Sequence, residues 1–349
     1  MDKIRAALVG CGRVGTVHGE ILASLEEVEL VACCDVKLER AQEFCRKYGG
    51  TPVADYRELL KRSDIDVLEL ATPHHQHANI AIDAAKAGKH VLTEKPMAIN
   101  VSDVEEMIRT AREHGVTLGV VLQNRYNDTS QAAKKAVESG QIGEIKAARA
   151  VVTWNRDDAY YARSDWKGFW ATEGGGALIN QAIHTIDLLQ WLVGEPVIEV
   201  AAHCATWAHK AIEVEDTAMA MLTFKNGVLG SIYANTVYAY DPPNFLEIYG
   251  SKGLIQIEGT KATIRTGNQV TVVEEGGTDA AGIDYIKSTG VGYWGFSHMR
   301  QIREFYQDLL AGRSHSIDGE VGKIPTLLVL AMYEASRRGT PISFPDGLK

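Results

Sequence analysis

Residues 4–15 read IRAALVGCGRVG. The apolar run Ile4–Val9 has the length and hydrophobicity of a buried strand, and it ends at a glycine. A helical pattern follows from residue 14 to about residue 25. Gly10, Gly12 and Gly15 therefore fall in the turn between a strand and a helix, the context in which a GxGxxG spacing is informative. Gly10 permits the tight turn, Gly12 lets a pyrophosphate approach the backbone, and Gly15 lets the helix pack on the strand. The helix start at Arg13 and Val14 offers N–H groups and a partial positive charge to phosphate. A second apolar run, Val28–Cys34, ends in Asp35. An acid there bonds the adenosine ribose hydroxyls and repels a 2′-phosphate, so the expected cofactor is NAD. Lys37, a cation two residues on, keeps NADP open.

Strand and helix signals keep alternating downstream. Strands are expected at 67–71, His90–Thr93 and 117–122. Helices are expected at 76–87 and, opened by a capping box from Ser102 to Glu105, at 102–114. That alternation predicts a doubly wound parallel sheet, an α/β Rossmann domain over residues 1–124. Ligands of such sheets lie at the carboxyl ends of the strands. Three groups sit there: Thr72-Pro73-His74, Glu94-Lys95-Pro96 and Gln123-Asn124-Arg125-Tyr126. His74, His75 and His77 lack the partner carboxylate or thiolate of a metal set, so no metal is expected and the loop reads as a cover for the cofactor. Lys95 is either a solvated loop lysine or an ammonium held near a substrate hydroxyl; the stiff backbone beside Pro96 suits the second.

From about residue 127 the pattern changes. A helix at 128–139 is followed by extended runs at 145–154, 197–206, Thr217–Phe224, 228–235, Phe245–Gly250, Gly253–Glu258, 262–265 and 270–273. Turns such as Lys225-Asn226-Gly227 separate them. Residues 125–349 thus read as an α+β domain with a large open antiparallel sheet. Residues 274–282 are small and polar, a loop expected to be mobile, and helices at His298–Leu310 and 324–338 close the chain. One helical layer leaves the other face of a broad sheet open, so self-association as a dimer or tetramer through that face is expected.

Within this half, residues 174–187 read GGGALINQAIHTID. The helix that follows the glycines is apolar almost all round and so is buried. Asn180, His184 and Asp187 nevertheless form one polar stripe. His184 is either a core histidine satisfied by Asp187 or part of a ligand-facing wall. Just before, 155–170 reads NRDDAYYARSDWKGFW. Aromatic groups among arginines and lysines suit the apolar face and the hydroxyls of a sugar, or an acidic group; Trp166 and Trp170 could equally be packing anchors of a surface loop.

Composition bounds the partners. The 349 residues are enough for two domains, and a net charge of −9 argues against nucleic acid and anionic membrane surfaces. There is no signal-peptide layout and no long apolar segment. The cysteines, Cys11, Cys33, Cys34, Cys45 and Cys204, form no CxxC pair, which fits a reduced cytoplasmic protein.

The N-terminal fingerprint, Glu94-Lys95-Pro96 and the GGG…H..D segment together resemble the Gfo/Idh/MocA family over nearly the whole chain. The resemblance implies a nicotinamide cofactor and hydride transfer at a carbohydrate or polyol carbon. It implies cofactor contacts from Gly10, Gly12, Arg13, Val14, Gly15, Asp35, Thr72, Pro73, His74, His77, Glu94, Lys95, Gln123, Trp166 and Lys167. Lys95 and His184 match the family's catalytic lysine and histidine. Substrate contacts would come from Lys95, Arg125, Tyr126, Arg156, Tyr160, Arg163, Asn180 and His184. Asn180 departs from the family's usual aspartate and, with Gln123-Asn124-Arg125, Trp166-Lys167-Gly168 and Val214-Glu215-Asp216-Thr217, resembles the branch containing UDP-N-acetylglucosamine-uronate 3-dehydrogenase. That branch oxidises a C3 hydroxyl; Arg125, Arg156, Arg163 and Lys167 would then be candidates for the pyrophosphate. The competing expectations are an inositol or other polyol dehydrogenase and a non-catalytic sugar-sensing regulator.

Overall fold

A computed structural model of the protein describes residues 3–276 and 297–349. The chain divides into two compact units. The first comprises the chain up to Gln123 together with Ser297–Lys323; the second comprises the chain from Asn124 together with Ile324–Lys349.

In the first unit, β1 (Ile4–Val9), β2 (Val28–Cys34), β3 (Thr51–Val53), β4 (Val67–Leu70), β5 (His90–Thr93) and β6 (Leu118–Val120) form one sheet. Its order is β3-β2-β1-β4-β5-β6, and every pairing is parallel. This is the doubly wound order, whose direction reverses between β1 and β4 and opens a ligand crevice there. The strands are short apolar runs because both faces are covered: Ala6, Ala7, Leu8, Leu68, Leu70 and Leu92 are fully buried. The connecting helices are α1 (Arg13–Ser24), α2 (Leu38–Tyr48), α3 (Tyr56–Leu60), α4 (His77–Lys86) and α5 (Val101–Glu113). The cap of α5 is Asn100, not Ser102: the Asn100 carboxamide oxygen accepts from the Asp103 N–H at 2.8 Å, and Ser102 lies inside the first turn. An asparagine two residues earlier offers the same acceptor with a fitting extended backbone.

The outer edge of β6 is covered from far along the chain. Gln301, at 0% exposure, accepts from the Leu122 N–H at 2.9 Å and donates to the Val120 carbonyl at 2.7 Å. The Val120 N–H in turn donates to the Ile317 carbonyl.

In the second unit, nine strands form a sheet. They are β7 (Ile145–Thr153), β8 (Val197–Ala205), β9 (Thr217–Phe224), β10 (Leu229–Asn235), β11 (Phe245–Gly250), β12 (Gly253–Glu258), β13 (Lys261–Thr266), β14 (Gln269–Glu274) and β15 (Ile342–Leu348). The order is β14-β13-β12-β11-β7-β10-β9-β8-β15. Among the described strands only β7 and β10 pair in parallel; the other pairings are antiparallel. Strand β15 has no counterpart in the sequence reading: its Pro345 and Gly347 mask a strand pattern, and the irregular register with β8 accommodates them. One face packs against α6 (Asp128–Glu138), α8 (Ile183–Val193) and the part of α10 (Gly319–Arg338) in this unit, through Ala133, Ile186, Leu189, Leu328 and Met332. The other face exposes Met219, Met221, Leu229, Tyr249, Val270 and Val272. Helix α7 (Asp158–Ala162) replaces part of the expected surface loop, capped by Asp157. The helix α9 (His298–Leu310) belongs to the first unit, and beyond Gly276 the expected 274–282 loop lies outside the described residues.

Gln301→Ala removes both side-chain bonds at the β6 edge and leaves two buried backbone groups unmet, a loss on the order of 2 kcal/mol or more. The urea midpoint of unfolding is expected to drop accordingly; an unchanged midpoint would show that the edge is satisfied in another way.

Candidate active site

The crevice of the first unit has the shape of a dinucleotide cradle. Gly10 takes a φ of +102°, and a Cβ there would meet the Ala71 carbonyl oxygen at 2.4 Å. A Cβ at Gly15 would lie 2.0 Å from the Gly10 carbonyl oxygen, so this turn closes only with glycine. Gly12 differs: a Cβ there would meet nothing within 4 Å. That open side of the turn, at the start of α1 where Arg13 and Val14 are exposed, is where a pyrophosphate would rest. Asp35 follows the end of β2 and accepts from the Cys11 N–H at 3.1 Å and the Lys37 N–H at 2.9 Å. Its carboxylate is thus oriented while retaining acceptor capacity for ribose hydroxyls. Thr72 Oγ1 is buried with no hydrogen-bond partner among the described residues. These features fit NAD.

The loops after β4 and β5 are tied together. His77 is buried; its Nδ1 faces the Pro96 carbonyl at 2.8 Å and its Nε2 the Thr72 carbonyl at 2.9 Å. His77 therefore joins the Thr72-Pro73 loop to the Glu94-Lys95-Pro96 turn. His74 is buried beside it, with ring centres 5.9 Å apart. Lys95 is half-buried and precedes a cis peptide to Pro96. Beneath the turn, Glu94 Oε1 faces His18 Nε2 at 3.1 Å and His298 Nε2 at 3.2 Å, and Glu94 Oε2 accepts from the Lys95 N–H at 3.2 Å. His18, Glu69, His298 and Tyr306 of this network escaped the sequence reading. The available signal was a histidine on the apolar face of α1, beside Gly15, Ile21 and Leu22.

In the second unit the glycine-led segment winds as a π-helix over Ala177–Ala182 before continuing as α8. Such wide turns recur at functional sites. Its start is capped from a distance by Glu215, whose carboxylate accepts from Gly176 N–H at 2.7 Å, Leu178 N–H at 2.8 Å and Tyr333 hydroxyl at 2.9 Å. Burial pushes the Glu215 carboxyl up to about 7 against the pull of these donors. Gly176 is required because a Cβ would meet the Glu215 carbonyl oxygen at 2.1 Å. Glu173, also buried, accepts from the Gly168 N–H at 2.6 Å and from the side-chain nitrogen of Asn180. An aspartate at 180 would set a second carboxylate against Glu173, so asparagine and glutamate belong together here. Asn180 and His184 are half-buried, whereas Leu178, Ile179, Ala182, Ile183, Thr185 and Ile186 are buried.

Asp187 does not orient His184. Its carboxylate receives Arg125 Nε and Nη2 at 2.8 and 2.6 Å and Gln190 Nε2 at 3.1 Å. Arg125 is buried, engaged bidentately with Asp187 and set over Trp191, an arrangement that gives its guanidinium a structural partner. Arg156 is buried as well, bonded to Gln181 at 3.0 Å and Asp241 at 3.2 Å. Around it, Tyr160 hydroxyl meets Lys167 Nζ at 2.8 Å and Gln181 Nε2 at 3.2 Å, and Lys167 lies over the Tyr160 ring. Trp166 is half-buried, and Lys167 Nζ lies 5.5 Å from its ring centre; Arg163 is exposed at the end of α7. Gln123 and Tyr126 lie in one 3-10 turn, the first buried and the second half-buried.

Residues 4–122 match a family model described as oxidoreductase family, NAD-binding Rossmann fold, and residues 130–256 match the GFO/IDH/MocA C-terminal domain. The chain is 35% identical to the WlbA dehydrogenase of Bordetella pertussis, whose crystal structure contains NADH and UDP-GlcNAcA. The two structures have a TM-score of 0.84, covering 98% of this chain and 99% of that one. The chain is 29% identical to myo-inositol 2-dehydrogenase of Thermotoga maritima, with 93% of this chain and 94% of the relative covered. It is 27% identical to D-glucoside 3-dehydrogenase of Escherichia coli, with 98% and 97% covered.

Asp35→Ala is expected to raise the NADP-to-NAD ratio of kcat/KM by lowering use of NAD and removing the repulsion of a 2′-phosphate. An unchanged ratio would exclude the ribose role of Asp35.

Proposed function

The chain belongs to the Gfo/Idh/MocA family of NAD-binding oxidoreductases, and from that premise we propose that it oxidises the C3 hydroxyl of a nucleotide sugar, with His184 as the general base. It is an NAD-dependent dehydrogenase of the sugar and polyol class. The observation that carries the finer reading is the pairing of Asn180 with Glu173, one turn before His184 on a largely buried helix. The 35% identity to an enzyme crystallised with UDP-GlcNAcA supports it.

NAD would be held by Gly10, Gly12, Gly15 and Asp35 and, when bound, would supply the hydride acceptor. The chain must then move one proton and steady one oxygen. His184 takes the proton of the hydroxyl as the carbon-bound hydrogen leaves as hydride; imidazole is the side-chain type whose unperturbed pKa lies closest to neutral pH, which suits a general base. In the reverse direction it returns the proton. The Lys95 ammonium stabilises the charge that develops on the oxygen. Asn180 orients the sugar through a neighbouring hydroxyl. Of the four candidate cations, Arg125 and Arg156 are buried in ion pairs, and the half-buried Lys167 and exposed Arg163 are the more accessible partners for a pyrophosphate.

The second reading, a polyol dehydrogenase, draws on the identity to the Thermotoga inositol enzyme. The presence of both Lys95 and His184 weighs against a non-catalytic sensor. The exposed face bearing Met219, Met221, Leu229 and Tyr249 would bury itself against further copies as a dimer or tetramer. The five cysteines are free thiols, which suits the reducing cytoplasm. No helix among the described residues is long and apolar enough to cross a membrane.

Cofactor reduction followed by absorbance over a panel of UDP-sugar acids, free sugars, glycosides and inositols tests the substrate. The expected result is fastest turnover with a UDP-sugar; inositol as the best substrate would replace the first reading with the second. His184→Ala is expected to lower kcat by at least ~10², the scale of a general base, with the fold intact. Full activity in a folded variant would remove His184 from the mechanism.

A further inference from the structure

His18, Glu69, His298 and Tyr306, which no catalytic assignment uses, form a polar network with Glu94 inside the first unit. His18 lies on α1, 0% exposed. Its Nδ1 faces Glu69 Oε2 at 2.6 Å, and its Nε2 faces Glu94 Oε1 at 3.1 Å. Glu69, on β4, is also fully buried and receives the Tyr306 hydroxyl at 2.8 Å on its other oxygen. Glu94 Oε1 is shared with His298 Nε2 at 3.2 Å. Tyr306 and His298 both come from α9.

The donor count decides the state of His18. A neutral imidazole donates from one nitrogen and accepts at the other, whereas a carboxylate only accepts. Both nitrogens of His18 face carboxylate oxygens, so both must donate. Two buried carboxylates with no cation between them would repel strongly at low dielectric. An imidazolium satisfies both demands.

We propose that His18 is a positioning residue: a buried imidazolium, wedged between Glu69 and Glu94, that fixes the Glu94 carboxylate and through it the backbone of Lys95 for hydride transfer. The inference rests on the role given to Lys95 above. Glu94 is the connecting piece, because one of its oxygens is gripped by the two histidines while the other receives the Lys95 N–H. The following carbonyl, Pro96, is held by His77. The turn is therefore clamped on both sides of the lysine. The same imidazole sits on the helix whose start faces the cofactor phosphates, so a shift of α1 and a shift of Lys95 are mechanically joined. The two carboxylates hold the His18 pKa at about 10 despite burial. Glu94 is held well below the ordinary carboxylate range by the same histidines.

His18, Glu94 and His298 also have the composition of a metal set, their ligand atoms lying within 4.8 Å of one another. A metal at Nε2 would need a lone pair there. The network instead uses that nitrogen as a donor to Glu94.

The test has two arms on the full-length protein. Nitrogen-15 NMR of histidine-labelled enzyme should show one ring with the imidazolium pattern retained at about pH 8.5, two units above an unperturbed histidine. That signal should vanish in His18→Gln. In the same variant, kcat should fall at least ~10-fold while the NADH dissociation constant, read by fluorescence, changes less than ~3-fold, the signature of an effect confined to the transition state. Glu69→Gln, which keeps Glu94 and the imidazole, should lower the pH at which the ring titrates, and it serves if His18→Gln does not fold. A His18 ring that titrates near 6.5, a stoichiometric divalent cation in the purified protein, or equal losses in kcat and NADH binding would each overturn the proposal. Lys95→Ala separates the two readings: wild-type kcat in that variant would end the role of Lys95 while leaving the NMR result for His18 to stand by itself.

Discussion

A carboxylate taken out of water costs several kcal/mol unless donors meet it, and the working parts of this protein are organised around carboxylates met in that way. Glu94 sits under the lysine turn, Glu215 at the head of the glycine-led helix, Glu173 beside Asn180, and Asp187 against Arg125. Asp216 adds a fifth case: its Oδ2 collects the N–H groups of Ala208 and His209 at 2.9 and 3.0 Å and so shapes the loop before β9. Each buried acid is an obligation that only a specific backbone path can discharge. Moving the path by an ångström would strand the charge. The loops that carry chemistry are thereby given the rigidity of core elements without being apolar.

The same constraint explains the helix of the second unit. A helix capped by its own preceding residue is defined locally. This one is capped by Glu215, whose nearest donor on the helix segment is 37 to 39 residues away along the chain. The start of the helix, and with it the direction in which Asn180 and His184 project, is set by tertiary structure. Between that remote anchor and the regular α-helix that packs on the sheet lies the π-helical turn Ala177–Ala182.

What could be read from the sequence divides along this line. The glycine turn, β1, α1, β2 and Asp35 are legible because each residue's job depends on its neighbours in sequence. So are the antiparallel strands, whose alternation records which face is buried. The partners of the buried acids are not legible. Tyr306 meets Glu69 across 237 positions and Arg125 meets Asp187 across 62, and no local pattern announces either. Arg125 reads as a ligand cation, and its ion pair with Asp187 could not be read beside that. Asp187, three residues beyond His184, reads either as its orienting partner or as structural, and its engagement with Arg125 matches the second. His18 fails to register for the converse reason: a histidine on an apolar helix face reads as a packed side chain until its two carboxylates are found.

The edge of β6 has a consequence for how the protein is made. A ribosome that has released residues up to Gln123 has delivered all six strands of the first sheet, yet Gln301 and Ile317 are still unsynthesised. For the time needed to translate β7 to β14, the nascent first unit carries an uncovered strand edge, the kind of surface that pairs with other chains. Its last hydrogen bonds can form only when Gln301 and Ile317 have been added. The unit that holds the cofactor cradle is thus first to begin and among the last to close, and a chain cut after Gln123 would keep its nucleotide fingerprint while losing the cover of β6.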